Sequence, residues 1–225
     1  FIHAPFKEDA AAARNETSLS MQVTLTDESG VDGKVLLFGD LAHDTIMKIF
    51  KYSEAKDREQ YLEWDLLLAP HHCSKRVMYK KDVDGAEVLQ QDILDAFERN
   101  ARLGASIVAS SAVFPDVDVD GHNPPHLMAA DRYAEIADEL ICTMSWVDEL
   151  APSPVVFGVD AYGARVIRGE LLEKSAQEAA LEQIFRENRP GDPARRSHRA
   201  CAVRCVLRHR LRRIRTAWTA ESLCI

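Results

Sequence analysis

The feature that most constrains the fold is the apolar run Leu66-Leu67-Leu68, which follows Asp65 and is closed by Ala69-Pro70. A short apolar run without alternation is typical of a strand buried on both faces, as in parallel sheets that are covered on each side. Such sheets bind their ligands beyond the carboxyl ends of the strands. The adjacent residues His71 and His72 come next, so the pattern puts them at that edge. The doublet alone favours the simpler interpretation, one structural and one solvated histidine, over a metal or catalytic site.

The rest of the first 188 residues alternates between strand and helix patterns. Alternating apolar residues at 18–27, turn residues and a second apolar run at 34–40 predict a β-hairpin, and Asp44 is a plausible N-cap for the helix that follows it. The further predicted elements are a helix at 86–102, a strand at 105–110, a helix ending near 140, a hairpin at 155–167 and a helix at 170–187. This order predicts an α/β fold with a mixed sheet.

Composition bounds the class of protein. With 225 residues and 46% hydrophobic residues the chain is long enough for one full core or two small ones. No apolar run approaches the roughly 18 residues of a membrane span, so we expect no membrane association. Five scattered cysteines are a poor disulfide framework. They fit a reducing compartment, and a cytoplasmic location is the expectation.

Charge divides the chain in two. The net charge is -8, yet the segment 189–215 has ten arginines and one acidic residue. The rest of the chain has 18 basic and 35 acidic residues, which argues against a general nucleic-acid groove on its surface. We predict a domain at 1–188 and an Arg-rich C-terminal tail at 189–225, either loosely ordered or a basic amphipathic helix. Nucleic acid remains a possible partner through that tail.

Three loops that follow predicted strands carry metal-ligand side chains. Asp40 follows the hairpin's second strand, His71 and His72 follow the buried strand, and His122 follows the strand at 105–110. Imidazole and carboxylate together suit zinc, manganese or iron, and a carboxylate can bridge two such ions. The convergence of these loops predicts a metal centre more strongly than any single histidine does.

The ordered motifs resemble the C-terminal half of a metallo-β-lactamase-fold hydrolase. These motifs are Asn15-Glu16-Thr17-Ser18, Leu37-Phe38-Gly39-Asp40, His71-His72-Cys73-Ser74, Ser110-Ser111 and Gly121-His122-Asn123-Pro124. They look most like the branch that includes the hydrolase domain of the DNA-uptake (competence) protein. The resemblance covers about residues 12 to 168. It implies half of an αβ/βα sandwich with a mixed sheet.

The resemblance assigns roles to the site residues. Asp40 would bridge two metal ions, His71 would be a late histidine ligand, and His72 its second-shell or alternative partner. His122 would contact the substrate or a metal-bound oxygen. Asn15 and Ser18 would be structural and fix the start of the strand. His43 and His126 have no counterpart, and for both a surface position is expected.

Two departures from the family pattern stand out. Cys73 occupies a position where the family usually has glycine, at a tight turn that favours a positive backbone angle; a buried passive thiol is expected there rather than a third, soft ligand. The family's main metal motif, His-x-His-x-Asp-His, does not occur in the 225 residues. The chain therefore looks like half an active site, and we expect either a fragment of a longer protein or a short relative that keeps the second half of the fold.

The resemblance implies hydrolysis of a phosphodiester or other phosphoester by a metal-activated hydroxide. Two zinc (or manganese) ions and a small-molecule or nucleotide phosphoester substrate belong to that expectation. The alternative is a non-catalytic binding or partner domain, in which Asp40 is a turn residue and the histidines are polar residues of the surface or core.

Overall fold

The computed structural model describes residues 1–5, 17–151 and 153–168, together with a strand at Ser222–Cys224. Contacts divide the chain into two compact units, Phe1–Val166 with Leu223–Ile225, and Ile167–Ser222. The predicted helix at 170–187 lies outside the described residues, as does the Arg-rich tail apart from its last strand. The first unit contains the loops that carry all of the predicted site residues.

A six-stranded mixed sheet forms the centre of the first unit. Its strands are β1 Ile2–Ala4, β2 Ser20–Thr26, β3 Asp32–Leu37, β4 Trp64–Leu68, β7 Ala101–Ala109 and β8 Glu139–Cys142. They lie in the order β1-β2-β3-β4-β7-β8. β1 to β3 pair antiparallel, and β3, β4, β7 and β8 pair parallel. The predicted α/β class and the mixed sheet are confirmed.

The leucine run forms β4, a central strand with both faces covered. Leu66 packs in an apolar cluster on one face, and Leu67 packs in a larger cluster on the other. Both side chains are fully buried. This is the burial that an apolar run without alternation predicts.

Three helices cover the face that Leu67 points to. They are α1 (His43–Glu54), α3 (Gln91–Asn100) and α4 (Leu127–Ile136). Phe38, Phe50 and Phe97 meet there with ring centroids 5.8 Å apart. Each parallel crossover passes through one of these helices, as covered parallel sheets require.

A small second sheet covers part of the opposite face. Its strands are β9 at Val156–Asp160, β10 at Gly163–Ile167 and β11 at Ser222–Cys224, in the order β10-β9-β11. The close packing of β9 and β10 against β3 depends on Gly33 of β3. A Cβ atom at Gly33 would lie 2.4 Å from Val159 Cγ2 and 2.9 Å from Ala164 Cβ. The predicted hairpin near 155–167 is confirmed.

Three local predictions were wrong. Residues 86–102 do not form one helix, because β5 (Tyr79–Lys81) and β6 (Glu87–Leu89) pair as a hairpin before α3 begins. The helix expected to reach residue 140 ends at Ile136, since the sequence after it pairs with β7 as the edge strand β8. Asp44 is not an N-cap: that position belongs to Ala42, and Asp44 lies in the first turn.

Candidate functional site at the carboxyl edge of the sheet

The carboxyl ends of three adjacent parallel strands bring the predicted site residues together. β3 leads into Asp40, β4 leads into the short helical turn α2 (Pro70–Cys73), and β7 leads into Ser110. Strand pairing places Leu37 beside Leu68, and Leu68 beside Val108, so the three exits are in register. Asp40 and the histidine doublet, separated by about thirty residues in the chain, therefore lie at one edge.

Asp40 is held by a tight turn. Gly39 before it has φ +58°, and a Cβ atom there would lie 2.9 Å from Ser18 Cβ. The Asp40 backbone N–H donates to Ser18 Oγ at 3.1 Å. Ser18 thus contacts the turn that carries Asp40, while its predicted role of fixing the strand start stays a prediction; Asn15, its predicted companion, lies outside the described residues. The Asp40 side chain is 37% exposed, so it can meet a solvent-borne ligand.

His72 faces Asp40 with a defined ring nitrogen. Its Nδ1 lies 2.8 Å from the carbonyl oxygen of Ser110, and its Nε2 lies 3.5 Å from Asp40 Oδ1. A carbonyl oxygen only accepts, so Nδ1 is the donor to Ser110. In the neutral ring Nε2 is then also an acceptor, and it faces a carboxylate oxygen. A proton or a cation between these two acceptor atoms removes the repulsion of their lone pairs.

His71 is tied to the same edge through its backbone. Its N–H donates to the Gly39 carbonyl at 2.8 Å. The side chain is half-buried, and burial lowers the pKa of His71 although the nearby Asp40 charge acts in the opposite direction. A neutral imidazole is the form that binds a metal ion.

The α2 turn has a strained backbone. His71, His72 and Cys73 have φ angles of 51°, 55° and 64°, in the left-handed region that residues with a Cβ atom rarely adopt. Cys73 thus adopts the positive angle expected where the family has glycine. Its side chain is fully buried, and burial raises the pKa of the thiol to about 12. The thiolate is disfavoured, so Cys73 fits a passive role and not that of a metal ligand.

His122 is not brought to the other predicted site residues. It is exposed in the loop between β7 and α4, and its N–H donates to the Val119 carbonyl at 3.2 Å. Within the described part of the chain, its side chain has no hydrogen bond or ion pair with Asp40, His71 or His72. The proposed contact of His122 with substrate stays a prediction.

The expected surface positions of His43 and His126 are wrong. His43 is 6% exposed and His126 is 4% exposed. His43 is buried where α1 packs against α3, with its Nε2 2.9 Å from Asp92 Oδ1 and its Nδ1 3.1 Å from Asp44 Oδ1. His126 is buried because it packs under the α2 turn. One sequence feature could have indicated the burial of His126: it follows two prolines and directly precedes a helix.

No group of three or more His, Cys, Asp or Glu side chains spaced to hold a metal ion occurs among residues 1–5, 17–151 and 153–168. The candidate ligands that face each other are two in number, Asp40 and His72. His3 Nε2 lies 2.8 Å from the Tyr61 carbonyl oxygen.

Comparisons with protein-family models, with curated proteins and with solved structures each found no match to this chain. Among the described helices none is both long and apolar enough to cross a membrane.

Proposed function

We propose that this chain binds a divalent transition-metal ion, zinc or manganese, between Asp40 and His72 and takes part in metal-dependent hydrolysis of phosphoester bonds. The observation that carries the proposal is the pair of facing acceptors, His72 Nε2 and Asp40 Oδ1, at 3.5 Å. The hydrolytic activity and the phosphoester substrate rest on the resemblance of the ordered motifs.

The chemistry of the two side chains fits part of a metal site. His72 donates its other ring nitrogen to a backbone carbonyl, the outer contact that fixes the orientation of a ligating histidine. Carboxylate oxygen and imidazole nitrogen are both ligands of zinc and manganese. His71 is a further imidazole at the same edge, and its backbone N–H donates to the carbonyl of Gly39, the residue before Asp40.

A bound zinc or manganese ion would supply an activated water, because such ions lower the pKa of a water bound to them. Asp40 would hold the ion and orient the water, and the Ser110 carbonyl would hold His72 in the ligating tautomer. Both side chains are partly exposed, at 37% and 53%, so a phosphoester could reach them from solvent. A second ion, which the resemblance implies, requires ligands beyond this pair.

The alternative function is a non-catalytic partner domain that keeps the second half of the fold. One observation favours it: the described residues do not supply three clustered ligands. In that case Asp40 and His72 form an ordinary polar contact at the surface.

Metal content separates these functions. The purified chain would be loaded with zinc or manganese, dialysed and analysed by mass spectrometry, with hydrolysis of bis(p-nitrophenyl) phosphate measured in the same samples. Asp40→Asn and His72→Gln test the site. Asp84→Asn, an exposed carboxylate in the β5–β6 turn, is the matched control.

We expect about one ion or more per chain in the wild type and in Asp84→Asn, with both metal and activity reduced at least tenfold in the two site variants. Metal binding without hydrolysis would mean that the chain is a metal-binding domain and not a hydrolase. An absence of bound metal in the wild type, or metal content unchanged in both site variants, would overturn the proposal.

A further inference from the structure

The α2 turn needs support from its surroundings, because three consecutive residues with side chains adopt left-handed angles. Such conformations persist only where neighbouring contacts hold them, and they concentrate at functional sites. The turn's own backbone bond is long, with Ser74 N 3.5 Å from the Pro70 carbonyl. The turn must therefore be held mainly by contacts with other parts of the chain.

His126 supplies two of those contacts. Its backbone N–H donates to the Cys73 carbonyl at 3.1 Å, at the end of the turn. Its Nδ1 accepts from the Lys75 backbone N–H at 3.4 Å, directly after the turn. One residue at the start of α4 thus holds the chain on the carboxyl side of the histidine doublet.

The tautomer of the neutral His126 ring follows from this contact: because Nδ1 accepts from the Lys75 N–H, the ring proton is on Nε2. His126, at the end of the loop between β7 and α4, therefore joins that loop to the chain at the end of the turn. The charged groups around the ring are Lys75 directly after the turn, Asp118 from the loop between β7 and α4, and Glu87 from β6.

We infer that His126 is a positioning residue for the carboxyl-edge site: it holds the left-handed α2 turn so that His72 Nε2 faces Asp40. In the described part of the chain His126 has no hydrogen bond or ion pair with either of these side chains, and its Nδ1 accepts from a backbone N–H. The effect on metal binding rests on the proposed function, whereas the effect on the turn does not.

Cys73 reports directly on the state of the turn. Its thiol is fully buried and lies at the last left-handed position. Alkylation by iodoacetamide requires the turn to open, so the labelling rate of the Cys73 peptide, measured by mass spectrometry under native conditions, follows opening. Cys142, buried on β8 with its Sγ 3.2 Å from the Ala112 carbonyl, is an internal comparison in each sample.

Three substitutions separate the contacts of the ring. His126→Asn keeps an acceptor near the position of Nδ1, and His126→Gln keeps a donor near the position of Nε2. His126→Phe keeps the ring volume but has neither the acceptor nor the donor. Val35→Ala, in the apolar cluster on the opposite face of the sheet, controls for general loss of stability. Zinc content would be measured in every variant.

We expect Cys73 labelling to be at least tenfold faster in His126→Phe than in wild type, within threefold of wild type in His126→Asn, and intermediate in His126→Gln. Cys142 labelling should change little. Zinc content should follow the same order. If no variant, including wild type, binds zinc but Cys73 labelling follows this order, the positioning role stands and the proposed function falls.

Unchanged Cys73 labelling in His126→Phe would overturn the inference. So would equal labelling in His126→Asn and His126→Phe, or an equal increase in Val35→Ala at matched stability, because the ring would then act only through general packing.

Discussion

The Nε2 atom of His43 lies 2.9 Å from Oδ1 of Asp92, and this contact joins the first turn of α1 to the first turn of α3. The same imidazole has its Nδ1 3.1 Å from Asp44 Oδ1, and Asp44 also pairs with Lys80 of β5. A single buried histidine thereby connects two helices and the β5–β6 hairpin on the helical side of the sheet.

We expect His43→Gln to lower the free energy of unfolding by about 1 to 2 kcal/mol, because the replacement cannot reach both carboxylates and leaves a gap at a buried position. Urea denaturation of the two proteins measures this. His122→Gln, a change of the same type at an exposed position, should shift the midpoint much less. Equal shifts in the two variants would contradict the role of the His43 contacts.

Arg102 neutralises the nearly buried carboxylate of Asp65 at 2.8 Å. Arg102→Met should cost about 2 kcal/mol at neutral pH, since it leaves a buried charge unpaired. Arg99→Met, which breaks an exposed pair with Glu54, should cost under about 1 kcal/mol.

The cost of Arg102→Met should also depend on pH. Burial raises the pKa of Asp65 above its ordinary value, and Arg102 opposes that rise. Without Arg102 the folded chain binds the Asp65 proton more tightly than the unfolded chain does, so the loss of stability is greatest at neutral pH and decreases toward about pH 4. Urea titrations at pH 7 and pH 4.5 test this; a loss independent of pH would argue against it.

Tyr133 has a hydroxyl that is fully buried without a hydrogen-bond partner among the described residues. Tyr133→Phe should therefore keep or raise stability, by up to about 1 kcal/mol, because the unsatisfied group is removed and the ring packing stays. Thermal unfolding of Tyr133→Phe and of the exposed control Tyr162→Phe measures the difference. A clear loss of stability in Tyr133→Phe alone would mean that the hydroxyl is satisfied in the folded protein.

Gly39 and Gly85 both have positive φ angles, but only Gly39 is crowded. A Cβ atom at Gly39 would lie 2.9 Å from Ser18 Cβ, whereas Gly85 has no atom within 4 Å of that position. We expect Gly85→Ala to cost about 1 kcal/mol from backbone strain. Gly39→Ala should cost about 1 to 2 kcal/mol more and should displace Asp40, which crystallography or the metal content of the variant would show. Equal costs would mean that Ser18 moves aside freely.

Three histidines predict a loss of stability in mild acid. Burial lowers the pKa of the partly buried His3 and His71 and of the buried His126 below the ordinary value of 6.5. The unfolded chain then binds more protons than the folded chain, so the stabilisation is fully present above about pH 6.5 and decreases as the pH falls toward the folded-state values. Unfolding at pH 7.5 and pH 5.5 measures the change, and His3→Gln should reduce it. An unchanged pH dependence in that variant would exclude His3 as a source.

The mixed sheet, and the proximity of Asp40 to the histidine doublet, could be predicted because they depend on local patterns. The leucine run of β4 indicates a strand buried on both faces, and the turn after β3 indicates the position of Asp40. The β5–β6 hairpin could not be separated from α3, because Val88 and Leu89 also fit the helical spacing of the residues that follow. Tertiary pairing decides between the two.

The environment of the histidines could not be predicted from the sequence. His43 and His126 are buried by contacts with residues distant in the chain, Asp92 for one and the α2 turn for the other. The orientation of His72 depends on a carbonyl at the end of a third strand. Sequence spacing shows which strand ends carry such side chains, but not which of them meet.

The central position of β4 affects the folding of the chain during synthesis as well as the stability of the finished sheet. During synthesis Trp64–Leu68 emerges well before β7, its parallel neighbour, and before β9, which covers its other face. At about 5 to 20 residues per second, the ribosome leaves this apolar strand without those partners for a few seconds or longer. A newly synthesised chain is therefore expected to engage chaperones in this interval, and the carboxyl-edge site can form only after it ends.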